Sequence, residues 1–345
     1  MSKILITGAA GFIGSQLAHR LFQNGEQVVL VDNFSYGSED NLIFDDCDFR
    51  ETIHREDIRN REFMDALMAK EKFDEIYHIA AITPLPDCQN NPTEAVDVNV
   101  RGTVLILELA RKYGVKKIYF ASTSAVYENT EEFPSKEDHV EYPGLIYPST
   151  KFSAEQFCRA FSTAYSIPIV VFRFANVYGP HIDCLRTTPP VMGYLIREFY
   201  KGNSPILHST GKQERDFIFV EDLIDLALAV RSAKHFDIVN VATETTVSIN
   251  EIADLIAKEM DCEDIPLEYA EVAHFWAKYP ELYEKPYPIS EEMLAHEVLK
   301  YTCLSTEHAR TYGWAPKTDL KEGVRKTVEF SVDVLRKAGI PERKR

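Results

Sequence analysis

The chain has 345 residues, of which 45% are hydrophobic and 27% charged, and its formal net charge is -16 at pH 7. No apolar run approaches the roughly 20 residues that a membrane helix needs, and the acidic balance disfavours nucleic acid, whose phosphates are held by basic surfaces. We therefore expect a cytoplasmic protein without a membrane or nucleic-acid partner, long enough for one large lobe and a smaller one.

The first predicted unit is a strand, a glycine-rich turn and a helix. Lys3–Thr7 is a short apolar run typical of a buried parallel strand, and Phe12–Phe22 has helical periodicity. In the turn, Gly8 permits a sharp bend, Gly11 lets the backbone approach a pyrophosphate and Gly14 allows close packing of the helix on the strand. A merely structural turn is the alternative. The pattern predicts a dinucleotide site formed by Gly8, Gly11, Phe12, Ile13 and Gly14.

The second predicted strand supports a dinucleotide site. Gln27–Val31 is followed by Asp32 and Asn33. A carboxylate at this position can accept both hydrogen bonds of an adenosine ribose and would repel a 2′-phosphate, which predicts NAD rather than NADP unless basic residues elsewhere reverse the choice. Further on, Asp57 and Ile58 are either contacts to the adenine edge or part of a solvated loop.

Strands and helices then alternate through the first half of the chain. Strands are predicted at Glu75–Ala80, Lys117–Ala121 and Ile167–Arg173, and a helix at Val100–Tyr113. This alternation predicts an α/β, Rossmann-type doubly wound parallel sheet over residues 1–180. From residue 181 to 345 the pattern becomes mixed, with short strands at Ser204–His208 and Val239–Ala242. We place a smaller mixed α/β substrate lobe there, with segments such as 215–245 returning to the large domain.

Polar and small residues follow several of these strands, at the sheet edge where ligands bind. Ala80 and Ala81 would let a cofactor pass close to the backbone. Asn99 begins a helix, where its amide could bridge neighbouring segments. The hydroxyls of Ser122–Ser124 close the next strand and should open toward the cleft, with helix or turn capping as the alternative.

Tyr147 and Lys151 are four positions apart in a predicted helix, so they lie on one face. A nearby cation favours phenolate. Because an unperturbed tyrosine has a pKa of about 10, a base that works near pH 7 needs about 4 kcal/mol of differential stabilisation, from Lys151 and a cationic nicotinamide. The pair predicts removal of a hydroxyl proton while a dinucleotide accepts hydride from the same carbon. An ordinary helix-surface pair is the alternative.

The six cysteines are scattered without any Cys-x-x-Cys spacing. This argues against zinc and against a disulfide framework, so we expect free thiols and no metal.

Eight segments in a characteristic order resemble the extended short-chain dehydrogenase/reductases, in particular the nucleotide-sugar epimerases and dehydratases. They begin at Thr7, His78, Asp97, Ser122, Tyr147, Arg173, Arg215 and Gly313. The resemblance implies Tyr147 as catalytic base and acid, Lys151 as its electrostatic partner and ribose ligand, and Thr123 as the contact to the reacting sugar oxygen. It also implies a homodimer.

The resemblance further implies a nucleotide-sugar substrate. Asn176 and Arg215 match positions that hold its diphosphate, and we also expect Thr83 and Ser124 to contact the substrate. For Arg215, pairing with a neighbouring carboxylate, Asp216 or Asp222, is the alternative.

Departures from the family pattern narrow the reaction. The acidic pair that follows the catalytic threonine in 4,6-dehydratases is replaced by Ser124 and Ala125, which disfavours dehydration. We therefore expect C4 epimerisation of a UDP-hexose or UDP-uronic acid through a 4-keto sugar. The alternatives are a nucleotide-sugar C4 dehydrogenase or reductase, a 4,6-dehydratase, and, in another class, a non-catalytic dinucleotide-sensing regulator.

Two segments leave the substrate open because they depart from the family pattern. In residues 181–190, Arg186 could face a sugar carboxylate, a phosphate or solvent. The region 273–299 contains four aromatic residues that could form a platform for a sugar or base, or could pack in the core or between subunits. They are Trp276, Tyr279, Tyr283 and Tyr287.

Overall fold

The computed structural model describes residues 1–139 and 142–343. In this part of the chain the strands are β1 (Lys3–Thr7), β2 (Gln27–Asp32), β3 (His54–Arg55), β4 (Glu75–His78), β5 (Lys117–Thr123), β6 (Ile169–Phe174), β7 (Asn176–Tyr178), β8 (Ile206–His208), β9 (Glu214–Phe219), β10 (Asp237–Val241), β11 (Thr246–Ser248) and β12 (Glu268–Ala270). The helices are α1 (Phe12–Gln23), α2 (Arg61–Glu71), α3 (Leu85–Asn90), α4 (Pro92–Val96), α5 (Thr103–Tyr113), α6 (Ile146–Tyr165), α7 (Val191–Lys201), α8 (Val220–Ala229), α9 (Ile249–Glu259), α10 (Glu291–Leu299), α11 (Glu307–Arg310) and α12 (Leu320–Lys337).

Seven strands form the large sheet, in the order β3-β2-β1-β4-β5-β6-β10. Every neighbouring pair is parallel. The chain order reverses between β1 and β4, and a crevice opens there beyond the carboxyl ends of the strands. The predicted fold class is therefore confirmed.

The large sheet is buried on both faces, which explains its nearly continuous apolar strands. On β1, Ile4 and Ile6 face a core shared with α1 and α8, whereas Leu5 faces the opposite core, shared with α2, α5 and α6. All three side chains are fully buried. Between α4 and α5, residues Asp97–Gly102 form a π-helical segment.

The smaller lobe contains two short sheets, β11-β9-β7 and β12-β8. Helices α7, α9 and α12 pack around its core, for example through Leu195, Ile252 and Val324. Residues 272–283, which we call the cap segment, contain two short 3-10 turns. Trp276, which belongs to this segment, packs against Leu145 and Leu294.

In the described part of the chain no helix is long and apolar enough to cross a membrane. None of the six cysteines, all of which lie in the described part of the chain, forms a disulfide, as predicted.

Candidate active site

Two adjoining cavities open at the carboxyl edge of the large sheet. The first has a volume of about 670 Å³ and lies between the β1–α1 turn, the end of β2 and the loop after β4. The second, of about 870 Å³, lies between the end of β5, the start of α6 and the smaller lobe. Ile13, Ala81 and Thr83 line both cavities. The predicted catalytic and cofactor residues therefore converge on one edge of the sheet.

The glycine turn forms the floor of the first cavity. Gly8 has a φ of +71°, and a Cβ there would lie 2.6 Å from the backbone nitrogen of Ala80. A Cβ at Gly14 would lie 2.1 Å from the Gly8 oxygen, so only glycine lets α1 start this close to β1. Ser15 donates to the Gly11 carbonyl at 3.0 Å. Phe12, Ile13 and Gly14 line the cavity, and the free N–H groups of a helix N-terminus suit a pyrophosphate.

Asp32 lies at the far wall of the first cavity and is 8% exposed. Its carboxylate accepts the N–H of Ala10 at 2.9 Å and of Phe34 at 2.7 Å. Burial raises the pKa of Asp32, and these two bonds oppose the rise. A carboxylate fixed in this way retains lone pairs for the two hydroxyls of a ribose.

Asn33, Asp57 and Ile58 continue the same wall. Asn33 donates to Asp57 at 2.9 Å. Arg59 binds the Asp57 carboxylate with two nitrogens, each at 2.9 Å, and this contact holds the pKa of Asp57 below its ordinary value. Asp57 is therefore an anchored carboxylate in the cavity wall, and its contact with adenine stays a prediction.

Asn99 is fully buried and lines neither cavity. Its amide accepts the Ile82 N–H at 2.8 Å and donates to the Ile82 carbonyl at 2.9 Å and to the Thr150 hydroxyl at 3.0 Å. The predicted bridge between segments is present, and it uses both hydrogens of the amide. The predicted cofactor contact stays a prediction. Asn99 therefore positions the loop that carries Ala80 and Ala81.

His181 is a first-cavity residue that the sequence did not single out. Its Nδ1 lies 3.0 Å from the hydroxyl of Ser15, and its ring is stacked between Phe44 and Phe330 at centroid distances of 5.1 and 4.6 Å. Burial lowers its pKa to about 4, so the ring is neutral near pH 7. The only signal was its place in the atypical segment after Pro180.

Thr123, Tyr147 and Lys151 meet in the second cavity. Tyr147 lies in the first turn of α6 and Lys151 one turn later. Burial raises the pKa of Tyr147 above its ordinary value, and the hydrogen bond to Thr123 lowers it only in part. The Thr123 hydroxyl also accepts the Ala125 N–H at 3.1 Å. The structure thus brings together the three predicted catalytic side chains.

Lys151 is 2% exposed, and its ammonium lies 4.3 Å from the centroid of Phe120. Burial lowers its pKa to about 8, while Cys158 and Glu155 oppose this shift. An aromatic face is a favourable neighbour for a desolvated cation. The ammonium is therefore mostly protonated at neutral pH.

A buried ion pair supports the end of β5. Arg173 binds Glu155 at 2.8 Å through Nη2 and at 3.1 Å through Nε. Ser122 donates to the same carboxylate. The pair joins α6 to β5 and β6, which fixes the strand end that carries Thr123.

Arg215 and Asn176 line the second cavity as predicted. Arg215 donates to the carbonyls of Val298 at 2.9 Å and Glu297 at 3.3 Å. Burial lowers its pKa to about 10, so it stays charged at pH 7. The Asn176 amide donates to the Asp216 carbonyl at 3.0 Å.

The alternative pairing of Arg215 with Asp216 or Asp222 is wrong. The Asp216 carboxylate accepts the backbone N–H groups of Thr243 and Glu244. The Asp222 carboxylate accepts those of Lys317 and Thr318.

Two predicted substrate residues do not line the second cavity. Ser124 begins the 3-10 turn Ser124–Tyr127 and does not line the second cavity. Arg186 lines the first cavity, and its Nε donates to the Thr188 carbonyl at 2.8 Å. The three alternatives for Arg186 stay open, whereas Ser124 lies away from its predicted place. The direction of a loop residue depends on contacts that its neighbours in sequence do not determine.

The four aromatic residues of the region 273–299 separate into different roles. Trp276 is 3% exposed and lines the second cavity, and Tyr279 lines both cavities. The Tyr283 hydroxyl accepts the backbone N–H of Trp276 at 3.2 Å, whereas Tyr287 is 93% exposed. Only Trp276 and Tyr279 are placed to contact a ligand.

A group of potential metal ligands lies outside both cavities. Ligand atoms of His19, Asp46 and Cys47 lie within 4.8 Å of one another. His19 Nε2 is 2.6 Å from Asp46, and Gln23 donates to the same carboxylate at 3.1 Å. These hydrogen bonds explain why the side chains lie close together. The prediction that the protein binds no metal stays a prediction.

A model of the NAD dependent epimerase/dehydratase family matches residues 4–242. The chain belongs to this family. It is 30% identical over 330 residues to the UDP-glucose 4-epimerase of Mycolicibacterium smegmatis, a match that covers 95% of this chain and 98% of the relative. It is also 28% identical over 335 residues to the dTDP-D-glucose 4,6-dehydratase of Mus musculus, with 95% and 88% covered.

Solved structures agree with this assignment. The UDP-glucose 4-epimerase of Thermotoga maritima with UDP-glucose has a TM-score of 0.84 at 27% identity and covers 96% of this chain and 99% of its own. The UDP-glucose 4-epimerase of Thermus thermophilus in complex with NAD has a TM-score of 0.79 at 26% identity, with 95% and 98% covered. The predicted family and the NAD cofactor are confirmed.

Proposed function

We propose that this protein is a nucleotide-sugar epimerase that inverts C4 of a UDP-hexose or UDP-uronic acid through a 4-keto sugar. The set of groups around Tyr147 carries the proposal. Among the described residues that line the second cavity, only Glu297 has a carboxyl group, and it pairs with Lys300 at 2.6 Å. Elimination of water needs an acid beside the sugar, whereas oxidation at C4 needs only a base and a hydride acceptor.

The catalytic side chains have complementary roles in this proposal. Tyr147 accepts the proton of the sugar hydroxyl and later returns it, while Thr123 holds the reacting oxygen beside the phenol. The buried ammonium of Lys151 stabilises the negative charge that develops on Tyr147. When bound, NAD supplies a reversible hydride acceptor.

Inversion requires the 4-keto sugar to present its opposite face before hydride returns. The second cavity, of about 870 Å³, lies toward the upper end of the range of roughly 300–1,000 Å³ for ligand pockets, which supports room for this turn. Apolar walls such as Phe174, Val177 and Trp276 contact a sugar without fixing one orientation.

We assign the diphosphate of the substrate to basic residues that line the second cavity. Arg215 and Lys278 are among its lining residues, as is Asn176. A guanidinium and an ammonium suit a diphosphate. The relatives that are UDP-glucose 4-epimerases support uridine as the base.

The alternative functions predict different outcomes for NAD, water and the catalytic side chains. A C4 dehydrogenase or reductase would use the same three side chains but would change the redox state of NAD. A 4,6-dehydratase is supported by the similarity to the mouse enzyme and would release water. A dinucleotide-sensing regulator would not require Thr123, Tyr147 and Lys151 in one cavity, which argues against it. A homodimer and a cytoplasmic location stay predictions.

Incubation with UDP-glucose, UDP-N-acetylglucosamine and UDP-glucuronate tests the proposal. We expect one of them to form its C4 epimer, identified by NMR, without accumulation of NADH. NADH that accumulates with product would favour the dehydrogenase. Lack of conversion of all three would contradict the proposed substrate class.

A further inference from the structure

Asp87 joins segments of the chain that meet at the boundary between the two cavities. It lies in α3, and its two carboxylate oxygens accept hydrogen bonds from two different tyrosines. The Tyr36 hydroxyl donates to Oδ2 at 2.7 Å, and the Tyr279 hydroxyl donates to Oδ1. Tyr36 belongs to the loop after β2, and Tyr279 belongs to the cap segment. One carboxylate thus ties both segments to the same short helix.

The two tyrosines face different ligand sites. Tyr36 and Asp87 line the first cavity, whereas Tyr279 lines both. The Tyr279 hydroxyl also lies 3.3 Å from that of Thr188, and Lys278 donates to the Thr187 carbonyl at 3.0 Å. The same stretch of the cap segment therefore contacts the walls of both cavities.

Tyr36 and Tyr279 remain hydrogen-bond donors near neutral pH. Burial and the contact with Asp87 raise the pKa of Tyr36, and the same two causes raise the pKa of Tyr279. Nearby Arg186 lowers both pKa values but does not reverse the shift. The phenols stay protonated as donors, and hydrogen bonds to a charged acceptor are stronger than neutral ones.

Both apolar and polar contacts hold the cap segment in place. Its buried cluster of Leu145, Trp276 and Leu294 is small, and half-buried side chains such as Val272 and Leu282 pack against it. Among the polar contacts, the bond between Tyr279 and Asp87 reaches directly to the first-cavity wall.

We propose that Asp87 is a positioning residue that couples binding in the first cavity to binding in the second. A dinucleotide in the first cavity contacts the loop that carries Tyr36, and a nucleotide sugar in the second lies beneath the cap segment that carries Tyr279. Each ligand stabilises the arrangement in which both phenols reach Asp87. Each ligand therefore strengthens the binding of the other by the same factor. The identity of the second ligand rests on the proposed function, whereas NAD follows from the family.

The first test uses NAD alone. NAD release from the holoenzyme is timed for the wild type, Asp87→Asn and Tyr279→Phe. We expect release to be roughly tenfold faster in both variants, because asparagine has one acceptor oxygen in place of two and phenylalanine has no donor. Tyr287→Phe is the matched control, since Tyr287 lies in the same region and is 93% exposed. Wild-type release rates in both variants would overturn the proposal.

A double-mutant cycle separates coupling from local damage. If one carboxylate connects the two phenols, Tyr36→Phe combined with Tyr279→Phe should release NAD about as fast as the more affected single variant. Rate effects that multiply independently would overturn the coupling. These conservative variants keep the test decisive if Asp87→Asn does not fold.

The second test adds UDP. Saturating UDP should slow NAD release from the wild type roughly tenfold and from Asp87→Asn much less. An equal effect of UDP on both proteins would overturn the coupling. If UDP does not bind the wild type while the NAD-only variants behave as expected, the nucleotide of the proposed function is wrong and the role of Asp87 is supported by the NAD results alone.

Discussion

Tyr147 lies in surroundings that favour its neutral form. Burial raises the pKa of the phenol, and the hydrogen bond with Thr123 lowers it only in part. The sequence spacing predicts a phenol activated by Lys151, but the protein alone does not supply enough stabilisation of the anion. The positive charge of a bound nicotinamide ring is the other predicted source of stabilisation for the Tyr147 phenolate.

Replacing Tyr147 with phenylalanine removes one oxygen and leaves the ring in place. We expect Tyr147→Phe to lower turnover by about 10²–10⁴, because the phenol acts as a general base, with little change in the binding of NAD and UDP. Steady-state kinetics and calorimetry measure the two effects. Tyr165→Phe, at the exposed end of the same helix, should behave as the wild type. Near-normal turnover of Tyr147→Phe would mean that another group is the base.

The buried charge of Lys151 lowers the free energy of unfolding of the cofactor-free protein. Its pKa falls from an ordinary value of 10.5 to about 8, so keeping this buried ammonium charged at pH 7 costs about 3 kcal/mol. We expect Lys151→Met to raise the free energy of unfolding of the apo protein by about 1–3 kcal/mol at pH 7 while abolishing turnover. Urea unfolding measures the difference.

The pH dependence of that difference has a defined sign. Between pH 8 and 10.5 the unfolded chain binds the Lys151 proton and the folded chain does not, so the wild type gains stability as the pH rises. The advantage of Lys151→Met should therefore shrink above pH 8. An advantage that grows with pH, or a variant less stable than the wild type at pH 7, would contradict this account.

In the β1–α1 turn, the packing of α1 on β1 and the approach of the cofactor depend on different glycines. A Cβ at Gly14 would lie 2.1 Å from the Gly8 carbonyl oxygen, whereas a Cβ at Gly11 would lie 3.2 Å from the same oxygen. We expect Gly14→Ala to lower the free energy of unfolding by about 3 kcal/mol, because it forces α1 away from β1, and to weaken NAD binding.

Gly11→Ala is the matched substitution in the same turn. It should cost less than about 1 kcal/mol of stability but still weaken NAD binding, because its methyl group stands where the backbone approaches the pyrophosphate. Thermal unfolding and NAD titration of both variants test this separation. Equal losses of stability in the two variants would contradict it.

Elements whose contacts are local or whose surroundings are uniformly apolar were predictable. The predicted strand Lys3–Thr7 matches β1, and the predicted helix Phe12–Phe22 is one residue shorter than α1. The strand predicted to end at Ala121 continues to Thr123 in β5, because these residues still pair with β6. The buried Ser122 hydroxyl is satisfied by Glu155. The π-helical segment before α5 was missed, since its residues have ordinary helical periodicity.

Across the whole molecule, the residues that sequence reasoning misplaced are those whose direction depends on distant partners. Asn99 faces Ile82 and Thr150 rather than the first cavity, and Ser124 begins a 3-10 turn outside the second cavity. Tyr279 meets Asp87 across 192 positions of sequence. No local sequence pattern predicts such a contact. The glycine turn and the Tyr147–Lys151 pair could be predicted because their chemistry depends on neighbours in the same element.

The fate of a label at C4 tests the central claim most directly. A nucleotide sugar that the enzyme converts is labelled with deuterium at C4, and the product is analysed by mass spectrometry and NMR after turnover in ordinary water. Inversion through a 4-keto sugar predicts a product of unchanged mass that retains the deuterium at C4, because the hydride leaves and returns within one active site. Loss of water from the product, or release of the label as free deuterated NADH, would contradict the account.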